Sequence, residues 1–401
     1  MGSKNNTTTR TTNALEEEIS SPQNGVVSIF PEVVDDAVNE TDEKRFLEVI
    51  STDLSDEQVS RLVTPPEIHH RVKDVIALHW HPEFIPIPII ARRIHAMFPN
   101  INQSLIIPTQ HNELMSFDDV FSGIEIDCFS RGFNQKVQLL LHMRKERAEK
   151  ATVLQSMAEY TFKYRSSQLF DLIDSFVGPV ESRLAVAAKT TGANQKLIDF
   201  VTLYVKKIHA LIDKFHDDIP PIMIKNKLIR NYFESLRREY SDIIIDRAQA
   251  FIRAVKYEVK KEFPLTYFYR TSEVIEEARA NGAGIVIPHP EQFWPILLAD
   301  YDIDGIEIWN PQSRKYTDFL ISVINNKNNA MRAGNKRLLI LMGDDTHMGE
   351  KVKSPSHQAD EKAMREIGVQ PGWEDLLIKK KLILAGMEKT AVMTEYRARL
   401  D

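Results

Sequence analysis

Val75-Ile76-Ala77-Leu78-His79-Trp80-His81 is the stretch on which the reading of this chain turns. Four apolar residues, two of them β-branched, form a short β-like run, and two histidines follow directly. Side chains in extended backbone alternate, so His79 and His81 point to the same side. Two imidazoles converging on one point can chelate a divalent cation. A His-x-His pair alone is weak, because such pairs arise often by chance and a lone histidine after a strand is more often a surface or hydrogen-bonded residue. What gives the pair weight lies further along the chain.

The same texture recurs. Ser104–Ile107 leads toward His111, Gly123–Asp127 carries Glu125, and Val137–Leu141 precedes His142. Later, Gly284–Ile287 ends at His289, Gly305–Trp309 carries Glu307, and Leu338–Met342 runs into Asp345 and His347. Asp345 and His347 repeat the spacing of His79 and His81 with a harder oxygen ligand. Of the twelve histidines, six (His79, His81, His111, His142, His289 and His347) sit at or near expected strand ends. The others, His69, His70, His95, His209, His216 and His357, fall in helices or loops and read as structural. Mixed His/carboxylate shells suit zinc, manganese or iron and leave positions open for water. Helical segments such as Glu273–Ala280 and Tyr316–Asn325 lie between the runs, so the alternation predicts an α/β fold with a largely parallel sheet or barrel. Polar residues at strand C-termini mark the usual active face of a βα barrel.

Around this framework the chain divides by texture. Residues 1–24 are polar and read as a disordered tail. Residues 25–70 form a helical lead-in, with a helix start at Ser55-Asp56-Glu57-Gln58 and a break at Pro65-Pro66. Residues 71–144 and 264–358 are the two parts of the α/β body. Between them, 145–263 is a helical insertion. Leu197, Phe200, Val201, Tyr204, Ile208, Leu211 and Phe215 step by three and four along one helix face, Phe251, Ile252, Val255, Val259 and Phe263 repeat the pattern, and Pro220-Pro221 divides the helices. The insertion is suited to capping the site or to homo-oligomerisation. Residues 359–401 are helical, with no obvious chemistry.

Composition sets outer bounds. The 401 residues are 43% hydrophobic and 27% charged, an ordinary globular balance. A net charge of −6 argues against broad binding to nucleic acid, though not against a local basic groove. Cys128 is the single cysteine and cannot form an internal disulfide, which fits a reducing cytoplasm. The start lacks the apolar core of a secretory signal, and Asn6 stands where myristoylation wants Ser or Thr. No apolar run approaches the roughly 18 residues of a membrane span. The expectation is a soluble, cytoplasmic protein without a membrane partner.

Five segments, in order, resemble the PHP (polymerase and histidinol phosphatase) family of metal-dependent phosphoesterases. Ala77-Leu78-His79-Trp80-His81 matches its opening strand and His-x-His, and Ile107-Pro108-Thr109-Gln110-His111 its Thr-Asp-His. Gly123-Ile124-Glu125-Ile126 matches a Gly-Ile-Glu strand, Pro288-His289-Pro290 an Ala-His-Pro, and Gly343-Asp344-Asp345-Thr346-His347 a closing Gly-Ser-Asp-x-His. The resemblance covers residues 72–143 and 270–350. It implies a distorted (β/α)7 barrel of the PHP type carrying a large helical insertion, with two or three divalent ions (Zn, Mn or Fe) at the strand C-termini. By motif, His79, His81, Glu125 and Asp345 would hold one ion. Glu125 would bridge to a second, completed by His289 and a histidine of the following strand, and His111 and His347 would belong to a third. The implied activity is phosphoester hydrolysis, with Asp345, His111 and His347 as catalytic residues and a phosphorylated small molecule or nucleotide as substrate.

The sequence departs from that pattern at three places. Gln138 stands where the strand after Glu125 normally supplies its histidine, so either His142, four residues on, fills that role or the second site is depleted. Pro86 replaces the acidic residue or histidine that usually follows His-x-His, leaving Glu83 as the nearest substitute. Gln110 replaces the aspartate of Thr-Asp-His, weakening second-sphere support for the ligands. Glu307 reads as a support or substrate contact, and Arg131, Arg144, Lys351 and Lys353 as candidates to grip phosphate. Two other readings stay open: an exonuclease acting on nucleic acid, and a degenerate binding or scaffold module without hydrolysis. An amidohydrolase-like barrel also uses His-x-His, but usually with a lysine bridge where Glu125 stands.

Overall fold

Each of the seven apolar runs forms a strand in the computed structural model, which describes residues 37–178, 180–331, 336–353, 358 and 360–401. The expected tail at 1–24, the start of the lead-in and His357 lie outside the described residues. In chain order the strands are β1 (Asp74–Ala77), β2 (Trp80–His81), β3 (Gln103–Ile106), β4 (Met115–Ser116), β5 (Phe121–Ser130), β6 (Gln135–Arg144), β7 (Gly284–Ile287), β8 (Gly305–Trp309), β9 (Leu339–Met342) and β10 (Thr346–His347). They hydrogen-bond as a six-stranded sheet ordered β4-β5-β6-β7-β8-β9 and as two pairs, β1 with β3 and β2 with β10. No closed barrel is detected among the described residues.

The expectation of a largely parallel sheet holds only in part. The pairs β1–β3, β2–β10, β7–β8 and β8–β9 are parallel, whereas β4, β5, β6 and β7 pair antiparallel. For β5 and β6 the reason is the connection: only Arg131–Asn134 separates them, and a parallel return needs a crossover of roughly a dozen residues. β5 is buried along its whole length, polar residues included. A Cβ on Gly123 would stand 2.4 Å from the backbone oxygen of Pro108, so only glycine lets β5 lie so close to the segment after β3.

By contacts the described chain groups into two compact units that do not follow chain order. One takes the described part of Met1–Val49 with Ile173–His216 and Ile229–Glu258. Its helix Gln195–Lys214 buries Leu197, Phe200, Val201, Tyr204, Ile208 and Leu211, the face anticipated from their spacing, while Asn194 caps its start. In that unit Asp42 Oδ2 accepts a hydrogen bond from Lys207 Nζ at 2.8 Å, and Tyr232 donates to Oδ1 at 3.1 Å, so the buried carboxylate is satisfied.

The other unit comprises Ile50–Leu172, Asp217–Leu228 and Val259–Asp401 and contains every strand. Ser55 and Gln58 form a reciprocal capping box at the start of the helix Asp56–Val63. Helices Thr271–Ala280 and Thr317–Ala330 pack apolar faces (Val274, Ile275 and Ala278; Leu320, Ile321 and Ile324) into the same core as β5–β9. Burying each such Ile or Leu stabilises by roughly 1.5–3 kcal/mol. No helix among the described residues is long and apolar enough to cross a membrane.

Candidate metal centre

The parallel pair β2–β10 brings the two spaced motifs together. Thr346 aligns with Trp80 and His347 with His81, and Asp345 N donates to His79 O at 2.9 Å. The segment after β3 docks onto β5, where Glu125 N donates to Gln110 O and Asn112 N to Glu125 O. This sets His111 beside Glu125. His289 follows β7 directly. Residues from both ends of the α/β body thus meet around Glu125.

Two groups of donor atoms lie within 4.8 Å of one another: His79, His81 and Glu125, and His81, His111 and His347. His79 Nε2 lies 3.9 Å from Glu125 Oε1 and 3.7 Å from Asp345 Oδ1. His81 Nε2 lies 3.7 Å from Glu125 Oε2 and 3.5 Å from Asp345 Oδ1. Two tetrahedral ligands of one zinc, each ~2.0–2.1 Å from it, stand about 3.3 Å apart, so these gaps exceed those around a shared ion by no more than about 0.6 Å. His289 Nε2 is 3.4 Å from Glu125 Oε1, and His111 Nδ1 adjoins Oε2. The two carboxylate oxygens therefore face different donors, the arrangement a bridging ligand needs.

Several of the converging atoms are left without hydrogen bonds. His79 Nε2, both ring nitrogens of His81 and both oxygens of Glu125 are buried and lack a hydrogen-bond partner. Buried polar atoms are seldom left so, and a single cation among them could accept lone pairs from all three residues. The opposite sides of His79 and Asp345 are firmly held. His79 Nδ1 donates to Glu307 Oε1 at 2.8 Å, which fixes the tautomer and turns Nε2 toward the cluster. Asp345 Oδ2 accepts from Arg365 Nη1 at 2.6 Å and Gln312 Nε2 at 2.8 Å, leaving Oδ1 toward the histidines.

Charge tells the same story. Glu125, Asp345 and Glu307 are buried carboxylates, and Arg365 is the guanidinium that pairs with one of them. Burial pushes the Glu125 pKa up, but the imidazoles of His111, His289 and His81 outweigh it and hold the group well below the usual range. Burial likewise opposes protonation of His79, yet Glu307, Asp345 and Glu125 raise its pKa to about 10. The site draws in positive charge, as a proton or as a cation. His81 and His347 are pushed down to about 4, chiefly by burial and by a neighbouring imidazole, so both offer lone pairs at neutral pH.

Backbone strain collects here too. Glu83, Asn112, His289 and Asp345 all have positive φ, at 53°, 56°, 23° and 48°. Such values are uncommon for residues other than glycine and gather at functional sites.

The structure does not bring every expected ligand to the cluster. His142 is the main correction. Its Nε2 donates to Leu78 O at 2.9 Å, and Nδ1 accepts from the Tyr396 hydroxyl at 2.7 Å, so neither nitrogen has a lone pair left for metal. On the shared face His142 aligns with Gly123, one pair below the level of Glu125 and Leu140. Glu83 lies outside both donor groups, with Oε1 turned to Lys227 Nζ at 3.6 Å and Lys225 Nζ at 4.0 Å. Gln110 contributes a backbone acceptor to Glu125 and a side-chain acceptor to Glu83 N. Arg144 pairs with Asp401, Lys351 with Glu366 and Lys353 with Glu350, so none of these is free to grip phosphate.

Several contributors went unrecognised in the sequence. Arg365 and Tyr396 come from the C-terminal segment that showed no chemistry, and Gln312 from the loop after β8. Glu291, two residues past His289, has both carboxylate oxygens buried and without hydrogen bonds, and burial raises its pKa. None carries a local signal, although Gln312 follows the Gly305–Trp309 strand by the same few residues that separate other strands from their ligands.

The sequence matches no family model, and no curated protein matches it significantly. Among solved structures, a provisionally assigned metal-dependent phosphoesterase from Bifidobacterium adolescentis aligns over 80% of this chain and 96% of its own, with 14% identity and a TM-score of 0.39. A likeness this distant carries no information about activity.

Proposed function

We propose that this chain is a metal-dependent phosphoesterase of the PHP type, its α/β body a distorted (β/α)7 barrel. The observation that carries the reading is the set of buried donor atoms without hydrogen bonds, His79 Nε2, His81 Nε2 and both oxygens of Glu125, meeting Asp345 Oδ1. His79, His81, Glu125 and Asp345 would hold one divalent ion, and Glu125 would share a second with His289. His81, His111 and His347 form a further donor group. Such ions, Zn, Mn or Fe, supply a water acidified to near neutral pKa and positive charge for the phosphoryl oxygens.

The chain's own residues do the rest. Glu307 keeps the His79 Nδ1 proton and aims Nε2, while Arg365 and Gln312 hold the Asp345 carboxylate in one orientation. His111 and His347 are the cluster rings with the most exposure, 26% and 21% of their side chains. Where no ion occupies their group, either neutral ring takes a proton from the attacking water and returns it to the leaving oxygen. The substrate in this reading is a phosphorylated small molecule or nucleotide.

Elemental analysis of protein purified without chelator, beside a phosphoesterase screen, tests the proposal. Bound transition metal with metal-dependent release of phosphate is expected. No metal above background, even after reconstitution, would overturn it in favour of a degenerate binding module.

A further inference from the structure

Three cationic side chains beside the cluster have no hydrogen-bond partner among the described residues. Lys225 lies in the turn between Pro221–Met223 and the helix Lys227–Ser235, Lys227 opens that helix, and Arg165 sits at the start of Tyr164–Val177. Lys225 and Lys227 are only 19% and 29% exposed, and the carboxylate they share, Glu83, stands beyond hydrogen-bonding distance at 4.0 and 3.6 Å. Each ammonium has three donors to place, so one distant carboxylate leaves most of them unused. Arg165 stacks over Phe162 at 5.6 Å and forms no ion pair among the described residues. Burial above all disfavours protonation of Lys225 and His111, and the Arg165 charge adds to it at both. Like charges gathered in a partly buried place oppose folding unless an anion joins them.

A cavity adjoins these cations, for its wall includes Ile224, the residue before Lys225, and Ser166, the residue after Arg165. Glu83, which feels the charges of Lys227, Lys225, His347 and His81, also lines this cavity of about 880 Å3. Asn112, next to His111, lines it as well. Much of the wall is apolar, including Leu114, Phe162, Ile222 and Ile224. This volume lies within the roughly 300–1,000 Å3 typical of small-molecule sites.

We propose that Lys225, Lys227 and Arg165 form an anion subsite that grips the phosphoryl oxygens of the substrate, whose bulky, partly apolar organic group occupies the adjoining cavity. The substrate class is thus a phosphomonoester of a nucleoside-sized or aromatic alcohol rather than a polymer. The proposal rests on the phosphoesterase reading for its substrate, but the subsite itself is tested without turnover.

Calorimetric titration of the metal-loaded full chain with inorganic phosphate, at matched metal content, is the experiment. Lys225→Gln and Lys227→Gln are each expected to weaken phosphate binding roughly tenfold or more, the usual effect of losing a charge-assisted hydrogen bond, and Arg165→Gln likewise. Glu83→Gln should tighten it, because a competing carboxylate is gone. If the lysines serve only to neutralise Glu83, none of these affinities moves, and the subsite is refuted. Naphthylmethylphosphonate, which is not hydrolysed, probes the cavity. It should bind at least tenfold more tightly than inorganic phosphate, by burial of its ring, and Ile222→Trp should abolish that advantage. An advantage unchanged by Ile222→Trp, or absent from the wild type, overturns the cavity assignment. Lysine-dependent phosphate binding without hydrolysis of any phosphoester keeps the subsite and sinks the hydrolase reading. Hydrolysis with wild-type phosphate affinity in all three variants does the reverse.

Discussion

Replacing Glu307 by glutamine removes a charge and keeps the shape. Glu307 Oε1 accepts from His79 Nδ1 at 2.8 Å and Oε2 accepts from His289 N at 3.2 Å. The space is tight, since a Cβ on Gly343 would come within 2.2 Å of Oε1, so the amide has no room to turn aside. An amide offers one acceptor and one donor group where the carboxylate offers two acceptors. With its oxygen toward His79, its NH2 opposes the His289 N–H. With its NH2 toward His79, the ring must carry its proton on Nε2 and present a hydrogen to the cluster. The first outcome loses a hydrogen bond, and the second keeps both but removes a ligand, because Nε2 then carries the proton. Loss of such a supporting contact typically costs ~10–100-fold in metal affinity, or about 1.4–2.7 kcal/mol. Competition with a chromophoric chelator measures the affinity, and thermal melting of the metal-free protein checks that the fold persists. Affinity of Glu307→Gln within threefold of wild type would show that His79 is not oriented by Glu307 toward an ion.

His79→Ala and Asp345→Asn should each abolish metal binding and phosphoester hydrolysis with circular dichroism unchanged; wild-type-like metal content in either variant would remove that residue from the site. His142→Ala should keep its metal content but lower stability by ~1–3 kcal/mol, because the Tyr396 hydroxyl and Leu78 O lose their partner in a buried place; loss of a metal equivalent would restore His142 as a ligand. The metal-free protein should lose stability as pH falls from about 6.5 toward 4. His81, His142 and His347 are held down to about 4, first by burial, so the unfolded chain binds more protons there than the folded one. His79, raised to about 10, works in the opposite sense but is protonated in the folded protein throughout that window. A urea midpoint equal at pH 7 and pH 5 would contradict this balance.

Legibility of the site followed the range of the forces involved. The seven strands could be placed from runs such as Gly284–Ile287 and Gly305–Trp309, because β-branched and apolar residues between polar stops dictate extended backbone locally. The spacing of two in His79/His81 and Asp345/His347 fixes a common side by the same local rule. Two helix periodicities and the capping box at Ser55 were equally local, and all appear in the structure.

What escaped was set by partners remote in sequence. His142 shares a face with Glu125, as alternation demands, yet Tyr396, 254 residues away, and the Leu78 carbonyl take both its nitrogens. Arg365 and Gln312 hold Asp345 from a segment and a loop that carry no pattern of their own, and Glu307, anticipated as a support, finds its partner His79 across 228 residues. The sequence by itself determined the strands, the alternating faces and the donor types at their ends, since each depends on neighbours a few bonds away. Only the tertiary structure decided which donors meet, which are consumed by other hydrogen bonds, and which strands run antiparallel, because a buried polar atom's role depends on whichever distant group satisfies it first.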